Sequence, residues 1–259
     1  MPPQSVIRHD SGTIIWQDGK LIGGRARKQL DEQTCKSLLE VYDELDALRP
    51  FLRRGSNLAN VCVNFVASGY KSDQNTNQCL LHNPRQGLST KPEDREEEEK
   101  KVTRQRQAWG KLAAVYEKVH RIAMDSFASI LAPVLDWTEG TGLNLYARQV
   151  TGVTFGDCFW PRSHRDNDAW FTVLVCLDRN GGVVEGGDFS FARAGWVLKC
   201  KHGDVLVYNP EEYHGTTEFH AASPEDGRVF GAFYMNLASL KSAAITGSMK
   251  PLKLKFEFL

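Results

Sequence analysis

The chain has 259 residues, with 32 Lys and Arg balancing 32 Asp and Glu, so its formal net charge at pH 7 is zero. Hydrophobic residues make up 41% and charged residues 25%, as in ordinary globular proteins, which excludes a disordered or fibrous class. A net charge of zero gives no support for a strongly basic nucleic-acid binder, so any such surface has to be local.

Cysteine usage and hydropathy indicate the compartment. Six cysteines are scattered without a CxxC pair, which favours a reduced, intracellular protein over a disulfide scaffold. The N-terminus lacks a basic start and an apolar stretch, and no run of about 18 apolar residues occurs. The sequence therefore predicts neither a standard secretion signal nor a membrane span.

The first hundred residues or so mix strand and helix patterns. Residues 13–22 predict a hairpin, because a glycine stands between two apolar runs. A helix is predicted from an N-cap at Asp31 until Pro50 ends its periodic pattern. A strand is predicted over 60–67, and the polar stretch 71–95, with its Asn, Gly and Pro residues, predicts a long surface loop.

A long amphipathic helix is predicted next. It begins with the charge run 96–101, where Glu and Lys recur four residues apart as on a solvated helix. The apolar stripe that follows is interpreted as core packing and not as a cofactor site. Its members are Trp109, Leu112, Tyr116, Val119, Ala123, Phe127, Ile130 and Leu131.

From about residue 142 the pattern changes to short strands, which fit one jelly roll, also called a double-stranded β-helix. We therefore predict an α+β fold in a single domain over 1–259, with a supporting N-terminal region of helices and strands at 1–139, a jelly-roll core at 140–236 and an extension at 237–259. The alternation at 252–258 predicts one more strand. The predicted core strands are 142–149, 154–160, 170–177, 187–192, 195–199, 203–209, 213–219 and 228–236.

Histidine and aspartate residues suggest a metal site in this core. His164 and Asp166 form a His-x-Asp triplet just before a strand, and His214 follows 50 residues later at the start of another. Two His and one carboxylate on one face, with the remaining positions open, are what a non-haem iron(II) oxygenase requires. These three residues are the predicted ligands.

Two other histidines are weaker candidates for a metal ligand. His202 also begins a His-x-Asp triplet, but its Gly203-Asp204 is better explained as the turn that opens the next strand. His220 is a weaker third ligand than His214, because it lies at the far end of its strand.

Arg228 is the predicted co-substrate residue. It begins the strand after that of His214, and its planar guanidinium suits a carboxylate such as the distal one of 2-oxoglutarate. The alternative is an arginine that faces solvent at a strand start.

Together these segments resemble the TET/JBP dioxygenases, which oxidise methyl groups on DNA bases. The resemblance covers about residues 140–236, and the small size suggests a fungal-type member. It is carried by Ser-His164-Arg-Asp166-Asn-Asp, Gly203-Asp-Val-Leu-Val-Tyr, Glu-Tyr-His214 and Gly-Arg228-Val-Phe-Gly-Ala-Phe-Tyr.

The resemblance implies roles for individual residues. Iron(II) would be held by His164, Asp166 and His214, and 2-oxoglutarate by Arg228. Polar residues near the iron would hold a flipped base, and by position these are Asp168 and Asn236. A further asparagine contact from the N-terminal half is left open among Asn57, Asn60 and Asn64.

Three functions remain in competition at this point. The first is a dioxygenase of a methylated DNA base, with 5-methylcytosine first and N6-methyladenine second. It implies methylated duplex DNA as partner, a nuclear location and, by default, a monomer. The second is a 2-oxoglutarate oxygenase that hydroxylates a protein side chain or a small molecule. The third, a catalytically silent jelly-roll binding module, is disfavoured by the complete set of ligands.

Overall fold

The computed structural model describes residues 4–9, 12–17, 20–52, 65–72, 79–81, 91–131, 152–158, 160–180, 184–221 and 226–236. Its helices are α1 (Glu32–Asp46), α2 (Arg49–Leu52) and α3 (Pro92–Leu131). Strands of the first half are β1 (Gln4–His9), β2 (Gly12–Gln17), β3 (Lys20–Ala26), β4 (Phe65–Ser72) and β5 (Cys79–Leu81). Strands of the second half are β6 (Gly152–Asp157), β7 (Asp168–Asp178), β8 (Val184–Gly186), β9 (Phe189–Phe191), β10 (Trp196–Leu198), β11 (Val205–Tyr208), β12 (His214–Thr216), β13 (Phe219–Ala221) and β14 (Arg228–Asn236).

Two facing sheets build the core. The major sheet has the strand order β1-β2-β3-β11-β7-β14-β6-β4-β5, and the minor sheet has the order β10-β9-β12. The strand pairs within both sheets are antiparallel, and the chain crosses repeatedly from one sheet to the other. This is the topology of a double-stranded β-helix, as predicted from the sequence.

Alternation along the strands divides the core into two layers. On β7, Val173, Val175 and Leu177 pack with helices α1 and α3 on the outer face of the major sheet. Leu174 and Cys176 point the other way, into the apolar layer that joins the two sheets. Successive side chains of a strand point to opposite faces, so one strand serves both layers.

The N-terminal predictions are largely confirmed. Strands β2 and β3 form the predicted hairpin, with β3 continuing to Ala26. Helix α1 begins after Asp31, whose carboxylate accepts a hydrogen bond from the backbone N–H of Thr34 at 2.7 Å. The amphipathic stripe of α3 is buried from Trp109 to Phe127, the part whose side chains the structure describes.

The loop predicted over 71–95 is wrong in three places. Strand β4 runs to Ser72, β5 pairs with it at Cys79–Leu81, and α3 already begins at Pro92. Strand β5 has only three residues, Cys79–Leu81, and this short apolar run lies within a polar stretch, so it was not recognised as a strand. Proline at the first helical position, followed by acidic residues, is a favourable helix start.

Two predicted strands are divided differently from the expectation. The strand predicted at 187–192 is β9, preceded by β8, and Gly186 and Gly187 between them have φ of 75° and 60°. The strand predicted at 213–219 is split into β12, in the minor sheet, and β13, which pairs with β8 in a separate two-stranded sheet. Residues 60–64 and the strands predicted at 142–149 and 252–258 lie outside the described residues.

Among the described residues, no helix combines the length and the apolar character that a bilayer crossing requires.

Candidate metal centre

The structure brings His164, Asp166 and His214 together. Each offers one ligand atom, and these three atoms lie within 4.8 Å of one another. The Nε2 atom of His214 is 3.2 Å from Oδ2 of Asp166, and the Nε2 atom of His164 is 3.6 Å from Oδ1 of the same carboxylate. Both imidazoles therefore present the same ring nitrogen to one carboxylate.

Backbone pairing explains why residues 50 positions apart meet. The backbone N–H of His164 donates to the carbonyl of His214 at 2.9 Å, and the reverse bond is 3.0 Å long. This isolated bridge attaches the segment before β7 to the edge of β12. The N–H of Asp166 also donates to the carbonyl of Pro210 at 2.9 Å, which fixes the third residue of the group.

Each imidazole is oriented through its other nitrogen. The Nδ1 atom of His164 lies 2.8 Å from the carbonyl oxygen of Arg162, and that of His214 lies 2.8 Å from the carbonyl oxygen of Glu212. A carbonyl can only accept, so Nδ1 carries a proton in both rings, and Nε2 is the nitrogen left to face Asp166 and to bind a metal. Hydrogen bonds of this kind orient the ring as a metal-binding histidine needs.

The three side chains differ in their access to solvent. His214 is buried at 2% exposure, and its ring lies between Phe189, with centroids 5.7 Å apart, and Tyr208, at 4.5 Å. His164 and Asp166 are partly exposed. The group is therefore anchored on a packed aromatic wall and open on one side, as a site that admits a substrate must be.

Asp168 and Asn236 occupy neighbouring positions next to this group. They are register partners on β7 and β14, so the two positions stand directly opposite each other in the major sheet. Burial, together with the nearby charge of Asp166, raises the pKa of Asp168 to about 7. The two positions predicted to read a base are thus adjacent, while their predicted role stays a prediction. Asn57, Asn60 and Asn64 lie outside the described residues.

Arg228 is buried and does not face solvent. Its Nε donates to Oδ1 of Asp178 at 2.7 Å, one Nη donates to Oδ2 of Asp178 at 3.4 Å, and the other donates to the carbonyl of Gly186 at 3.1 Å. Burial lowers the pKa of Arg228, but the hydrogen bond to Asp178 and nearby groups raise it well above its usual value. Each Nη carries a second hydrogen beyond these bonds, so the guanidinium can still donate to another acceptor.

The two competing histidines, His202 and His220, are placed away from the cluster. His220 is exposed on β13, in the separate two-stranded sheet. His202 lies in a turn before β11, with Gly203 at φ 80°, and its Nδ1 accepts from the backbone N–H of Asp178 at 2.9 Å. The turn predicted at His202-Gly203-Asp204 is therefore confirmed.

Sequence reasoning missed the side chains that surround the cluster. Tyr213 lies between two guanidinium groups, with Cζ of Arg165 4.9 Å and Cζ of Arg193 4.3 Å from its ring centroid. The aromatic wall and the Asp178 partner were also missed. A signal existed for Tyr213 and Arg165, because each is a direct chain neighbour of a predicted ligand.

No family model matches the chain, and no curated protein matches it. Among solved structures, the chain is similar to NgTET1 in complex with 5mC DNA, with a TM-score of 0.50 and 12% identity, over 92% of this chain and 85% of that one. It is also similar to a prolyl hydroxylase from Trichoplax adhaerens in complex with a hypoxia inducible factor peptide fragment, with a TM-score of 0.44 and 14% identity, over 86% of each chain. A viral collagen prolyl hydroxylase from Paramecium Bursaria Chlorella virus-1, in complex with 2OG, gives a TM-score of 0.41 and 13% identity, over 85% of this chain and 98% of that one. At such low identity the likeness to NgTET1 is one of fold, and it confirms the double-stranded β-helix.

Proposed function

We propose that the chain is an iron(II)- and 2-oxoglutarate-dependent dioxygenase that oxidises the methyl group of a methylated DNA base. The preferred base is 5-methylcytosine, with N6-methyladenine second. The observation that carries the proposal is the convergence of two imidazole Nε2 atoms and one carboxylate within 4.8 Å.

The donor set fits iron(II). Two neutral imidazoles and one carboxylate are the ligands of the facial triad of non-haem iron oxygenases, which leaves positions open for other groups. Both Nδ1 atoms are bonded to carbonyl oxygens, so Nε2 is the ring nitrogen that each histidine would offer to a metal. When bound, iron(II) and 2-oxoglutarate would supply the oxidising power for C–H hydroxylation, with succinate and carbon dioxide as by-products.

The protein's own contribution is orientation and protection from water. Phe189 and Tyr208 hold the ring of His214 in a buried position, so this ligand stays in place whether or not substrate is present. Asp166 is held at its backbone by the carbonyl of Pro210. Arg228 provides a buried positive charge with N–H groups left to bind the far carboxylate of 2-oxoglutarate.

The rim of the cluster supports a nucleic-acid substrate. Arg162, Arg165 and Arg193 are exposed around the triad, and the large aromatic side chain of Trp160 is 48% exposed four residues before His164. Cations that bind phosphate, combined with an exposed aromatic ring on which a base can stack, are typical of nucleic-acid contacts. Glu211 and Glu212 lie nearby, so the rim is mixed in charge and its basic part is local.

A base in duplex DNA has to leave the stack to reach such a cluster, at a cost of a few kcal/mol. Asp168 and the position of Asn236, paired beside the ligands, are where a flipped base would be recognised. The same ligand set would also serve an oxygenase that hydroxylates a protein side chain or a small molecule. The substrate therefore has to be tested directly.

Substrate-stimulated turnover separates these functions. The protein is incubated with iron(II) and 2-oxoglutarate, and succinate is measured with three additions: methylated duplex DNA, the same duplex without methyl groups, and a pool of unmodified peptides. We expect stimulation by the methylated duplex above the unmethylated one. Stimulation by peptides alone would contradict the DNA substrate but keep the oxygenase, and absence of succinate under every condition would contradict both.

A further inference from the structure

A second polar site lies away from the metal cluster, between the hairpin strands and β10. A cavity of about 580 Å³ is present there. We call it the basic pocket, because five cationic side chains and one carboxylate contribute to its wall. These residues are Arg25, Arg27, Lys28, Lys199, Lys201 and Asp204.

Arg25 is the most unusual member of the basic pocket. It is only 7% exposed, and its Nε has no hydrogen-bond partner among the residues that the structure describes. Its nearest carboxylate contact, from Nη1 to Oδ2 of Asp204, is long at 3.9 Å. A buried guanidinium without a close carboxylate leaves its positive charge uncompensated, which favours an anion in the adjoining pocket.

Asp204 does not neutralise the basic pocket. Its carboxylate is occupied by two backbone donors, the N–H of Lys28 at 2.8 Å and the N–H of Lys201 at 3.0 Å. These two bonds connect the segment that contains Lys28 with the segment that contains Lys201, and both segments carry cations of the pocket. Asp204 thus organises the pocket, while the excess of positive charge around it remains.

The remaining wall is apolar. Trp196 is partly buried, Leu198 is buried and the side chain of Val197 is 51% exposed. A phosphate group suits this combination, because its oxygens accept from a guanidinium fork and from several ammonium groups at once. The aromatic and aliphatic wall offers a surface for an organic group attached to that phosphate.

The basic pocket is separate from the metal cluster. Tyr208 packs against His214 of the metal cluster, and Asp204 of the basic pocket lies four residues before Tyr208 along the chain. At a rise of 3.3 Å per residue, Asp204 and Tyr208 are roughly 13 Å apart. We propose that the basic pocket binds a phosphate group, supplied either by a free nucleotide or by the backbone of a nucleic acid.

The test measures anion binding by calorimetry without iron or 2-oxoglutarate, so it requires no oxidation activity, and any binding of the duplex at the rim of the metal cluster is the part that the pocket variant retains. The probes are inorganic triphosphate, ATP and a short unmethylated DNA duplex. The test variant is Arg27→Glu with Lys199→Glu, both at exposed positions, which keeps buried Arg25 intact. The control is Lys36→Glu with Arg121→Glu, which changes the total charge equally on exposed positions of α1 and α3.

We expect the pocket variant to bind at least one probe on the order of tenfold more weakly than the wild type, and the control variant to bind it almost unchanged. Loss of triphosphate and ATP binding supports a free phosphorylated molecule, and loss confined to the duplex supports the nucleic-acid backbone. Two results overturn the proposal: no binding of any probe by the wild type, or equal weakening by the pocket and control variants.

Discussion

At the scale of single residues, the two histidines of the cluster share one local arrangement. Each ring is bonded through Nδ1 to the carbonyl two residues earlier, from Arg162 to His164 and from Glu212 to His214. The backbone therefore orients both rings before any metal arrives. This arrangement was not visible in the sequence, because it depends on local backbone dihedrals, whereas the three ligands were predicted from the His-x-Asp triplet before a strand and the histidine that begins a later strand.

Removal of any ligand should abolish iron binding. We expect His164→Ala, Asp166→Ala and His214→Gln each to weaken iron(II) affinity by at least on the order of 100-fold and to lose succinate formation. Glutamine at 214 preserves much of the buried volume that Phe189 and Tyr208 enclose. The matched control is His220→Ala, at an exposed position. Calorimetric titration of iron(II) under argon provides the measurement, and loss of binding in the His220 variant instead would show that the ligand set is wrong.

Arg228 and Asp178 form a pair whose two members should behave differently. Arg228→Ala should raise the 2-oxoglutarate concentration needed for half-maximal turnover about ten- to hundredfold, because a charge-assisted bond is lost. Asp178→Asn keeps the guanidinium and removes its carboxylate partner, so the requirement should stay the same or fall. Iron affinity should be unchanged in both variants.

If Arg228 has only a structural role, both substitutions would lower the melting temperature and neither would change the 2-oxoglutarate requirement. Titration of 2-oxoglutarate in the succinate assay, with a melting curve for each variant, distinguishes the two cases.

The paired positions beside the ligands should affect the substrate more than the co-substrate. Asp168→Ala or Asn236→Ala should reduce oxidation of methylated DNA about tenfold, as expected for loss of a buried hydrogen bond to the base. Most of the succinate formed without DNA should remain. Both products are measured in one reaction, with Lys36→Ala on α1 as the exposed control. An equal fall in both products would assign these residues to the metal site itself.

At the scale of elements, the contact between β12 and the segment before β7 holds the site together. Gly215 leaves room for this contact, since a Cβ atom there would lie 2.8 Å from the carbonyl oxygen of Pro161 and 3.2 Å from the backbone N of Ser163. Both of these are backbone atoms, so any side chain at position 215 has to displace the segment before β7, which contains His164.

Gly215→Ala should therefore weaken iron(II) affinity on the order of 10- to 100-fold, although it touches no ligand. Gly110→Ala is the control, because nothing lies within 4 Å of its added Cβ on helix α3. There alanine should raise the free energy of unfolding by up to about 1 kcal/mol and leave iron affinity unchanged. Equal iron affinity in the wild type and the Gly215 variant would mean that the bridge does not position His164.

Elements with strong local signals were predicted well. Helix α1 has an N-cap residue and a regular apolar stripe, and the sequence of the β2–β3 hairpin places a glycine between two apolar runs. Strands β5, β8 and β13 have three residues each and are defined by their partners, so their own sequences contain little information. The Arg228–Asp178 pair joins residues 50 positions apart and could be found only once β14 and β7 were aligned.

At the scale of the whole molecule, a net charge of zero does not exclude a local concentration of positive charge. The formal net charge is zero, yet the basic pocket collects cations from residues 25–28 and from residues 199–201, which the sheets bring together. Sequence analysis could not locate this pocket, because its two segments are distant in the chain and only the topology makes them neighbours. The composition indicates an ordinary globular protein, whereas the strand topology determines which charged residues lie close together.

The proposed oxidation of a methyl group on a DNA base is tested most directly by mass spectrometry of nucleosides. The protein, iron(II) and 2-oxoglutarate are incubated with a duplex containing 5-methylcytosine and, separately, with a duplex containing N6-methyladenine, beside the Asp166→Ala variant. We expect hydroxymethylcytosine from the first duplex with the wild type and none with the variant. If both methylated bases stay unchanged in wild-type reactions that still form succinate, the DNA substrate is wrong.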